Sequence, residues 1–232
     1  MNIVLTGASG GLGFEVAKNL LLIPNTVMYA LGRSVHKMER IVAFAATLNN
    51  NSQLIPLSVD FNDVDEIKSV CQQIHFTSID LVINNAGVLI NKPIGSYTIQ
   101  EIESTFRINT IAPYIIVQEL MAKLNKGSHI VNIGSMGGVQ GSIKFAGLSA
   151  YSASKGALAI LTECMAEELR SAGVSVNCLA LGAADTDMLR QAFPGYIAPV
   201  SAAQMGNYIA EFAINGHQYY NGKVLQVSLS TP

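Results

Sequence analysis

The sequence predicts an α/β protein with a doubly wound, mostly parallel sheet of seven strands and helices on both faces, in three layers. Three observations predict this class. Short apolar segments alternate with longer amphipathic ones along the whole chain, which is the pattern of β-α-β units. A glycine-rich turn directly follows the first apolar segment, at the end of the sheet where such proteins bind ligands. The 232 residues are 50% hydrophobic, enough to cover both faces of the sheet.

The predicted elements alternate strictly in type. We expect strands at residues 3–6, 27–31, 54–59, 81–84, 130–133, 174–179 and 224–227. We expect helices at residues 11–22, 35–48, 64–74, 99–124, 150–171 and 202–214. The sequence has no internal repeat, low-complexity tract or linker, so we predict a single domain over residues 1–232.

Charged residues are scarce and nearly balanced. The 14 basic and 16 acidic residues make 13% of the chain and a net charge of −2. This balance gives no electrostatic reason to expect nucleic acid or an anionic membrane as a partner. No apolar run is long enough to span a bilayer, and the first residues already form a strand and turn rather than a signal peptide. We therefore expect a cytoplasmic protein, and the scarcity of charge favours a homodimer or homotetramer.

The cysteines and histidines show no pattern of metal ligation. Cys71, Cys164 and Cys178 are odd in number and far apart, which predicts neither a disulfide framework nor a metal site. The four histidines also lack metal-ligand spacing, and we expect all of them at the surface: His36, His75, His129 and His217.

The turn after the first strand reads TGASGGLG over residues 6–13. Gly7 permits a tight turn, Gly11 lets a pyrophosphate approach the backbone, and Gly13 lets the helix pack closely on the strand. The N–H groups at the start of the following helix would face the phosphates. The turn therefore predicts a Rossmann-like dinucleotide site, the alternative being a glycine-rich loop without a ligand.

The turn departs from the usual G-x-G-x-x-G, and four further features accompany it. They are NNAG at residues 84–87, Asn109 in the long helix, Ser135 after the fifth strand, and YSASK at residues 151–155. In this order and spacing they resemble the short-chain dehydrogenase/reductase family, particularly its members similar to 3-oxoacyl-carrier-protein reductase. The resemblance covers essentially the whole chain. It implies a cofactor site formed by Gly7, Ser9, Gly11, Leu12, Gly13, Arg33, Ser34, Asp60, Phe61, Asn85, Ala86, Gly87, Tyr151, Lys155, Ala184 and Thr186.

The end of the second strand indicates which cofactor is preferred. Gly32 stands where the family's NAD-selecting acidic residue would be, and Arg33 follows with a guanidinium suited to a phosphate. We therefore expect NADP(H) to be favoured over NAD(H), although Gly10 occupies a position that is often basic, and a solvated surface arginine is the alternative. The resemblance places Asp60 on the adenine amino group, and the competing interpretation is an N-cap of the next helix.

Tyr151 and Lys155 are four residues apart and share one face of a helix. A nearby ammonium would lower the pKa of the phenol, which is near 10 when unperturbed. The resemblance implies that Tyr151 transfers the proton, Lys155 also binds the nicotinamide ribose, and Ser135 binds the substrate oxygen. Ser142 and Ser149 are rivals of Ser135. On its own, a Y-x-x-x-K pair is usually an ordinary feature of a helix surface.

Asn109, which the resemblance implies is catalytic, is followed four residues later by Pro113, which has no N–H to donate to the Asn109 carbonyl. We therefore expect a kink in the long helix. In the family this carbonyl holds a water that relays protons to the lysine, and we expect Pro113 to help expose it. A kink with a structural role alone is the alternative.

Two stretches depart from the family pattern. The segment between Ser135 and Tyr151 is three residues longer than in many members, and Leu181 replaces the usual proline before Gly182. The resemblance also implies a substrate lid at residues 186–200. Its apolar side chains favour a small or apolar carbonyl or alcohol substrate, or else serve an oligomeric interface: Met188, Leu189, Phe193 and Tyr196.

The function expected from these features is an NADP-dependent oxidoreductase that interconverts a ketone and a secondary alcohol. A non-catalytic dinucleotide-binding redox sensor is one alternative, although sensing would not require a proton donor. An isomerase of the extended branch of the family is another, but the chain after Lys155 is short for the larger substrate domain of those enzymes.

Overall fold

A computed structural model describes residues 1–229 of the chain. The main sheet consists of β1 (Asn2–Thr6), β2 (Val27–Gly32), β3 (Gln53–Ser58), β4 (Ile79–Asn84), β5 (Leu124–Ser135), β6 (Ser175–Leu181) and β9 (Lys223–Val227), while the short strands β7 (Ala184–Asp185) and β8 (Val200–Ser201) form a second sheet. The seven strands lie in the order β3-β2-β1-β4-β5-β6-β9, and all neighbouring pairs are parallel. The predicted seven-stranded sheet is therefore confirmed.

Helices cover both faces of the sheet, which confirms the three-layer arrangement. They are α1 (Gly11–Leu21), α2 (Val35–Thr47), α3 (Val64–Gln72), α4 (Ile99–Phe106), α5 (Ala112–Leu120), α6 (Ser149–Glu168), α7 (Asp187–Ala192) and α8 (Ala202–Asn215). Buried side chains of α1, α2 and α8, such as Leu20 and Ile209, form one core. Those of α3, α5 and α6, such as Ile67 and Ile116, form the other. Each face thus buries its own apolar layer, the main stabilising contribution in such a fold.

The strand order reverses between β1 and β4. The chain leaves β1 towards β2 on one side, and β4 pairs with β1 on the other. A crevice opens at such a switch point, outside the carboxyl ends of the strands. Thr6 ends β1 and Asn84 ends β4, so both glycine-containing motifs lie at this crevice.

The long helix predicted at residues 99–124 is not continuous. A π-helical turn at Arg107–Ile111 separates α4 from α5, and a 3₁₀ turn at Met121–Lys123 ends the run. Ala112 N–H donates to the carbonyl of Arg107, five residues earlier. Pro113 lies in the first turn of α5, where a missing N–H is tolerated. The sequence predicted a kink at Pro113 within one helix; the structure instead has a π-helical turn directly before α5.

Two further differences concern the fifth strand. β5 starts at Leu124 rather than at residue 130, and its pairing with β4 is irregular between Ile79 and Leu81. The expectation that all four histidines lie at the surface was wrong for His129. Its ring is fully buried, with Nδ1 2.8 Å from the Ala213 carbonyl oxygen and Nε2 3.0 Å from Asn177 Nδ2. Burial was missed because hydrogen bonds to both ring nitrogens satisfy a polar residue within an apolar strand.

A small second sheet brackets the segment predicted as a lid. Its two strands, β7 (Ala184–Asp185) and β8 (Val200–Ser201), pair in parallel and hold the ends of the segment containing α7 together. Across residues 1–229, no helix combines the length and apolar character needed to cross a bilayer. The last three residues of the predicted domain, 230–232, lie outside the described part of the chain.

Candidate active site

A cavity of about 750 Å³ occupies the crevice at the carboxyl ends of the strands. It runs from the glycine turn and the end of β2, past the ends of β4 and β5, to β6 and α7. Sixteen of the predicted site residues line it: Gly7, Ser9, Gly11, Leu12, Arg33, Ser34, Asp60, Phe61, Asn85, Ala86, Gly87, Ser135, Tyr151, Lys155, Ala184 and Thr186. The predicted site residues Gly13 and Asn109 are not among the residues that line the cavity.

The glycine turn has the backbone geometry that its sequence predicts. Gly7 has φ +77° and Gly11 has φ +53°, both in the left-handed region that favours glycine. A Cβ on Gly10 would meet no atom within 4 Å, so the backbone there is open to the cavity. Across the cavity, the Thr186 methyl group would lie 3.7 Å from a Cβ on Gly11. The turn is therefore bare enough to receive a phosphate group.

Thr6 and Asn85 join the glycine turn to the NNAG loop. The Thr6 hydroxyl oxygen accepts hydrogen bonds from the N–H of Asn85 at 3.0 Å and of Ala86 at 2.8 Å. Asn85 Nδ2 donates to the carbonyls of Thr6 and Gly7, at 3.0 and 3.2 Å. A Cβ on Gly13 would collide with Asn85 Nδ2 and the Gly7 carbonyl oxygen. Gly13 thus permits the close contact between the glycine turn and Asn85. Thr6, the first residue of the turn, is a positioning residue whose role the sequence did not indicate.

The end of the cavity beside β2 is cationic. The exposed Arg33 and Lys37 both line it, one directly after β2 and the other in the first turn of α2. Ser34 caps α2, and its Oγ accepts from the Lys37 N–H at 3.4 Å. Lys37 was not predicted because it lies in the first turn of α2, beyond the end of the strand where the sequence signal for the cofactor lies. Two cations without an acidic residue at Gly32 make this end suited to a phosphate monoester.

Asp60 also lines this end of the cavity. One of its carboxylate oxygens accepts from Asn62 N–H at 3.0 Å and from Asn62 Nδ2 at 3.1 Å. The N-cap of α3 is Asp63, whose side chain accepts from the N–H groups of Asp65 and Glu66. The interpretation of Asp60 as that N-cap was therefore wrong.

Helix α6 carries Tyr151 and Lys155 on the face that lines the cavity. Lys155 is only 5% exposed, and its Nζ donates to the Ile133 carbonyl at 2.7 Å. A Cβ on Gly87 would lie 3.5 Å from the same nitrogen, so the ammonium sits between β5 and the NNAG loop. Burial lowers the pKa of Lys155 to about 8. The side chain therefore carries a positive charge at neutral pH and loses it in mildly alkaline solution.

The electrostatics of Tyr151 differ from the sequence-based expectation. Burial is the main influence and raises the pKa of the phenol above its usual value of 10, while a hydrogen bond with the Ser135 side chain opposes this rise. The expected net lowering by Lys155 was wrong because removing the phenolate from water outweighs the stabilising contacts. Ser135 Oγ also accepts from the Gly137 N–H at 3.2 Å, which fixes the hydroxyl at the end of β5. Tyr151 is therefore a neutral phenol at neutral pH.

Asn109 holds two cavity walls together from behind. Its side chain is fully buried in the π-helical turn. Oδ1 accepts from the Val88 N–H at 2.9 Å, and Nδ2 donates to the Val88 carbonyl and the Ser154 Oγ, each at 3.0 Å. The amide therefore connects the segment after NNAG to α6, between Tyr151 and Lys155.

The turn after β6 is anchored without the family's proline. The Gly182 N–H donates to the Val227 carbonyl at 2.9 Å, and Leu181 lines the cavity. Thr186 caps α7, and its hydroxyl accepts from the Leu189 N–H at 3.3 Å. Of the predicted lid contacts, Met188, Leu189 and Phe193 line the cavity, whereas Tyr196 lies outside its lining.

The far wall of the cavity is formed by three segments: residues 88–91, 145–148 and 187–193. The Phe145 and Phe193 rings meet edge to face, with 5.6 Å between centroids and 76° between planes. Asn91 Nδ2 donates to the Ala192 carbonyl at 2.8 Å. Asn91 and Phe145 were missed because their segments carry no recognisable motif. We call these three segments the lid-side wall.

The residues present fit a nicotinamide dinucleotide phosphate. The bare glycine turn suits the pyrophosphate, the two cations suit a further phosphate, and the tyrosine and lysine lie further along the same crevice. In residues 1–229, no three His, Cys, Asp or Glu side chains cluster in a way that could hold a metal ion. The arrangement can thus bind a dinucleotide and donate a proton to a group placed against Tyr151.

Comparison with known proteins agrees with this geometry. The family model described as short chain dehydrogenase matches residues 1–196. The chain is 25% identical over 249 aligned positions to versicolorin reductase 1 of Dothistroma septosporum, covering 97% of this chain and 93% of that protein. It is 33% identical over 184 positions to the ketoacyl reductase HetN of a Nostoc species, covering 78% of this chain and 62% of that protein.

A solved structure of a short chain dehydrogenase has the same fold. A short chain dehydrogenase from Burkholderia cenocepacia, in complex with NADP, superposes with a TM-score of 0.86 at 25% identity, covering 97% of this chain and 95% of that one. The family model, the relatives and the fold all indicate the same family. The chain belongs to the short-chain dehydrogenase/reductase family and is an oxidoreductase of that family.

Proposed function

We propose that the protein interconverts a ketone and a secondary alcohol using NADP(H), with Tyr151 as the proton donor or acceptor. The observation that carries the proposal is the position of Ser135, Tyr151 and Lys155 together on one cavity, whose other end is the glycine turn. When bound, the nicotinamide cofactor supplies or accepts the hydride. The names of the relatives, which are reductases, favour the reducing direction.

The protein's own residues handle the proton and the substrate oxygen. Tyr151 is neutral at pH 7, because the ordinary pKa of a phenol is near 10 and burial raises it further, so it holds the proton that a reduced carbonyl oxygen needs. The Ser135 hydroxyl, beside the phenol, donates a second hydrogen bond to that oxygen and orients it. Lys155 carries a buried positive charge that stabilises the phenolate left after proton transfer, and it also binds the nicotinamide ribose.

The preference for NADP(H) rests on Arg33 and Lys37. Both line the end of the cavity beside β2, where Gly32 takes the place of an acidic residue. The Asp60 carboxylate, also at this end, accepts hydrogen bonds from Asn62. Asp60 and Phe61 line the same end and would contact the adenine. The bound NADP of the Burkholderia cenocepacia structure is consistent with this preference.

Both the side chain and the main-chain carbonyl of Asn109 have a role. Its side chain positions α6 through Ser154, and its main-chain carbonyl relays protons through water to Lys155. The relay is supported by the π-helical turn around Asn109, because π-bulges are frequent at functional sites. Pro113 contributes by withholding the N–H that an α-helix would donate to this carbonyl.

We also propose that residues 1–232 form one domain with a lid at residues 186–200, acting in the cytoplasm on a small-molecule carbonyl or alcohol. Exposed apolar side chains on α5, α6 and the neighbouring turns support a homodimer or homotetramer. They include Ile111, Tyr114, Met121 and Ile160, the last being 61% exposed. Light scattering at micromolar concentration tests the assembly, and a monomer would contradict it.

An absorbance assay tests the reaction. Purified protein is mixed with NADPH or NADH and a panel of ketones and uncharged β-ketoacyl thioesters, beside Tyr151→Phe. We expect oxidation of NADPH by the wild type, slower oxidation of NADH, and a loss of at least about a hundredfold in Tyr151→Phe. Titration of NADPH by fluorescence checks that the variant still binds the cofactor. Cofactor binding without turnover of any ketone would favour the redox sensor.

A further inference from the structure

The lid-side wall of the cavity presents mainly apolar side chains, with Asn91, Asp187 and Gln191 among them, and it is fixed by contacts among its three segments. Its side chains include Leu148, Met188 and Leu189, and the Phe145–Phe193 pair joins the longer segment after β5 to the lid. A ligand ring can add a further edge-to-face or offset contact to such a pair, the geometries that aromatic rings prefer. This wall is therefore built to receive a ring.

Hydrogen bonds hold the wall in place before any ligand binds. The Tyr97 hydroxyl lies 2.6 Å from the Ile90 carbonyl oxygen and 2.7 Å from that of Gly147. The Lys92 N–H donates to the Gly147 carbonyl at 3.0 Å, and Asn91 bonds to Ala192 on the lid. A wall fixed in this way loses little conformational entropy when a rigid ligand docks.

The lid-side wall offers no free positive charge to an anionic substrate. The cations that line the cavity within residues 1–229 are Arg33 and Lys37 at the far end and Lys155 beside Tyr151. On the three wall segments and their flanks, the basic side chains are already engaged. Lys92 pairs with Glu101 at 2.5 Å, and Arg190 pairs with Asp185 and with Asp187, the latter at 2.7 Å. Lys144 donates to the Val139 carbonyl at 2.6 Å.

The outer surface of the same region is also apolar. Ile94, Ile143 and Ile197, in the chain segments that form or flank the wall, are 86%, 67% and 89% exposed. A site for a carrier-bound or phosphorylated ketone would instead need free cations on these segments. The absence of such cations from the described segments distinguishes this chain from one built for charged substrates.

We propose that Phe145 and Phe193 are the specificity-determining residues of this site, and that its substrate is an uncharged ketone carrying an aromatic ring. This inference rests on the proposed ketone reduction for its chemistry, but the recognition surface can be measured separately by binding. Neither ring takes part in proton transfer. Their contact gives the wall its shape, and the ring of the substrate stacks against them while its carbonyl reaches Tyr151 and Ser135.

The test compares two ketones with the same number of carbons, 2-tetralone and 2-decanone, with the charged acetoacetyl coenzyme A as a third substrate. We expect the wild-type kcat/KM for 2-tetralone to exceed that for each of the other two by at least about tenfold. Phe145→Leu and Phe193→Leu keep apolar bulk but remove the rings. Each is expected to lower kcat/KM for 2-tetralone by about tenfold, mainly through KM, and to change 2-decanone by less than twofold. The double variant should be less than additive, because the two rings touch.

Tyr219→Leu is the matched control, since this aromatic side chain is 77% exposed and lies outside the cavity lining. It should leave all three substrates unchanged. Calorimetric titration of 2-tetralone into protein loaded with NADP⁺ gives a readout that does not depend on turnover. We expect the dissociation constant to rise about tenfold in Phe145→Leu.

The outcomes separate this inference from the proposed reaction. Equal losses for 2-tetralone and 2-decanone, or a wild type that prefers 2-decanone or acetoacetyl coenzyme A, would overturn the assignment of Phe145 and Phe193. If no ketone is reduced but 2-tetralone still binds and binds more weakly to Phe145→Leu, the recognition surface stands and the reaction fails. If ketones are reduced but 2-tetralone binds equally to wild type and variant, the reaction stands and this inference fails.

Discussion

Asn109 Nδ2 donates to Ser154 Oγ across 3.0 Å, and this bond ties the π-helical turn to the helix that carries Tyr151 and Lys155. Both side chains are fully buried. The Ser154 hydroxyl in turn donates to the Tyr151 carbonyl at 2.7 Å. A residue expected to act through its carbonyl thus also positions the catalytic helix through its side chain.

Replacing Asn109 with alanine should destabilise the fold as well as reduce activity. The change leaves the buried N–H and carbonyl of Val88 without their side-chain partner, and an unsatisfied buried group costs about 1–3 kcal/mol. We expect a loss of about 3 kcal/mol in the free energy of unfolding, measured in urea. Asn207→Ala, at an exposed position on α8, is the control and should change it by less than about 0.5 kcal/mol. Equal losses in the two variants would contradict the positioning role.

Alanine substitutions at Gly13 and Gly10 should affect different properties, the first the stability of the fold and the second the affinity for NADPH. A Cβ on Gly13 would lie 2.8 Å from the Gly7 carbonyl carbon, so Gly13→Ala should destabilise the fold by about 1–3 kcal/mol. A Cβ on Gly10 meets open space, so Gly10→Ala should leave the melting temperature almost unchanged but weaken NADPH binding. Thermal melts and cofactor titrations measure the two effects. A Gly10→Ala protein with wild-type affinity would show that this backbone does not face the cofactor.

Arg33 and Lys37 should set the cofactor preference together. We expect Arg33→Ala and Lys37→Ala each to weaken NADPH binding by about tenfold, close to 1.4 kcal/mol, because each removes one charged partner of a phosphate. Binding of NADH should change by less than about twofold, since it has no such phosphate. Fluorescence titrations with both cofactors measure the difference. Lys68→Ala, on α3 and outside the cavity lining, is the charge-matched control. Parallel losses for both cofactors would refute the assignment.

His129 should make the fold sensitive to acid. Burial lowers its pKa from 6.5 to about 4, so between these values the unfolded chain binds a proton that the folded chain does not. Stability is therefore complete above pH 6.5 and is lost as the pH falls towards 4. Between pH 6.5 and pH 4, we expect the free energy of unfolding of the wild type to fall by about 3 kcal/mol more than that of His129→Gln, because one pKa unit corresponds to 1.36 kcal/mol.

Urea melts at several pH values measure this difference. His36→Gln serves as the control because the His36 side chain is 88% exposed, and it should follow the wild type. If His129→Gln showed the same acid sensitivity as the wild type, other groups would have to account for it.

The sheet, the glycine turn and an irregularity in the long helix could all be predicted from local sequence patterns. The alternation of apolar and amphipathic segments was sufficient for the sheet and its two helical layers, because burial on each face requires that pattern. Gly7 and Gly11 were recognisable because left-handed backbone needs glycine. A kink in the long helix was predicted at Pro113, whereas the π-helical turn that divides it was not, because that turn depends on the packing of α4 and α5 against their neighbours.

Residues without a local signature required the tertiary structure. Lys37, Asn91 and Phe145 reach the site only because distant segments meet at the crevice, and nothing in their immediate sequence marks them. Thr6 belongs to the recognised glycine turn, but its hydrogen bonds to the NNAG loop appear only in the tertiary structure. The burial of His129 and the raised pKa of Tyr151 likewise depend on what covers them. Motif spacing and local periodicity were enough to predict the family, the seven strands of the main sheet and the chemical groups of the site. The electrostatics of those groups and the shape of the wall facing the substrate became visible only in the folded chain, because desolvation and side-chain contacts are set by neighbours far apart in sequence.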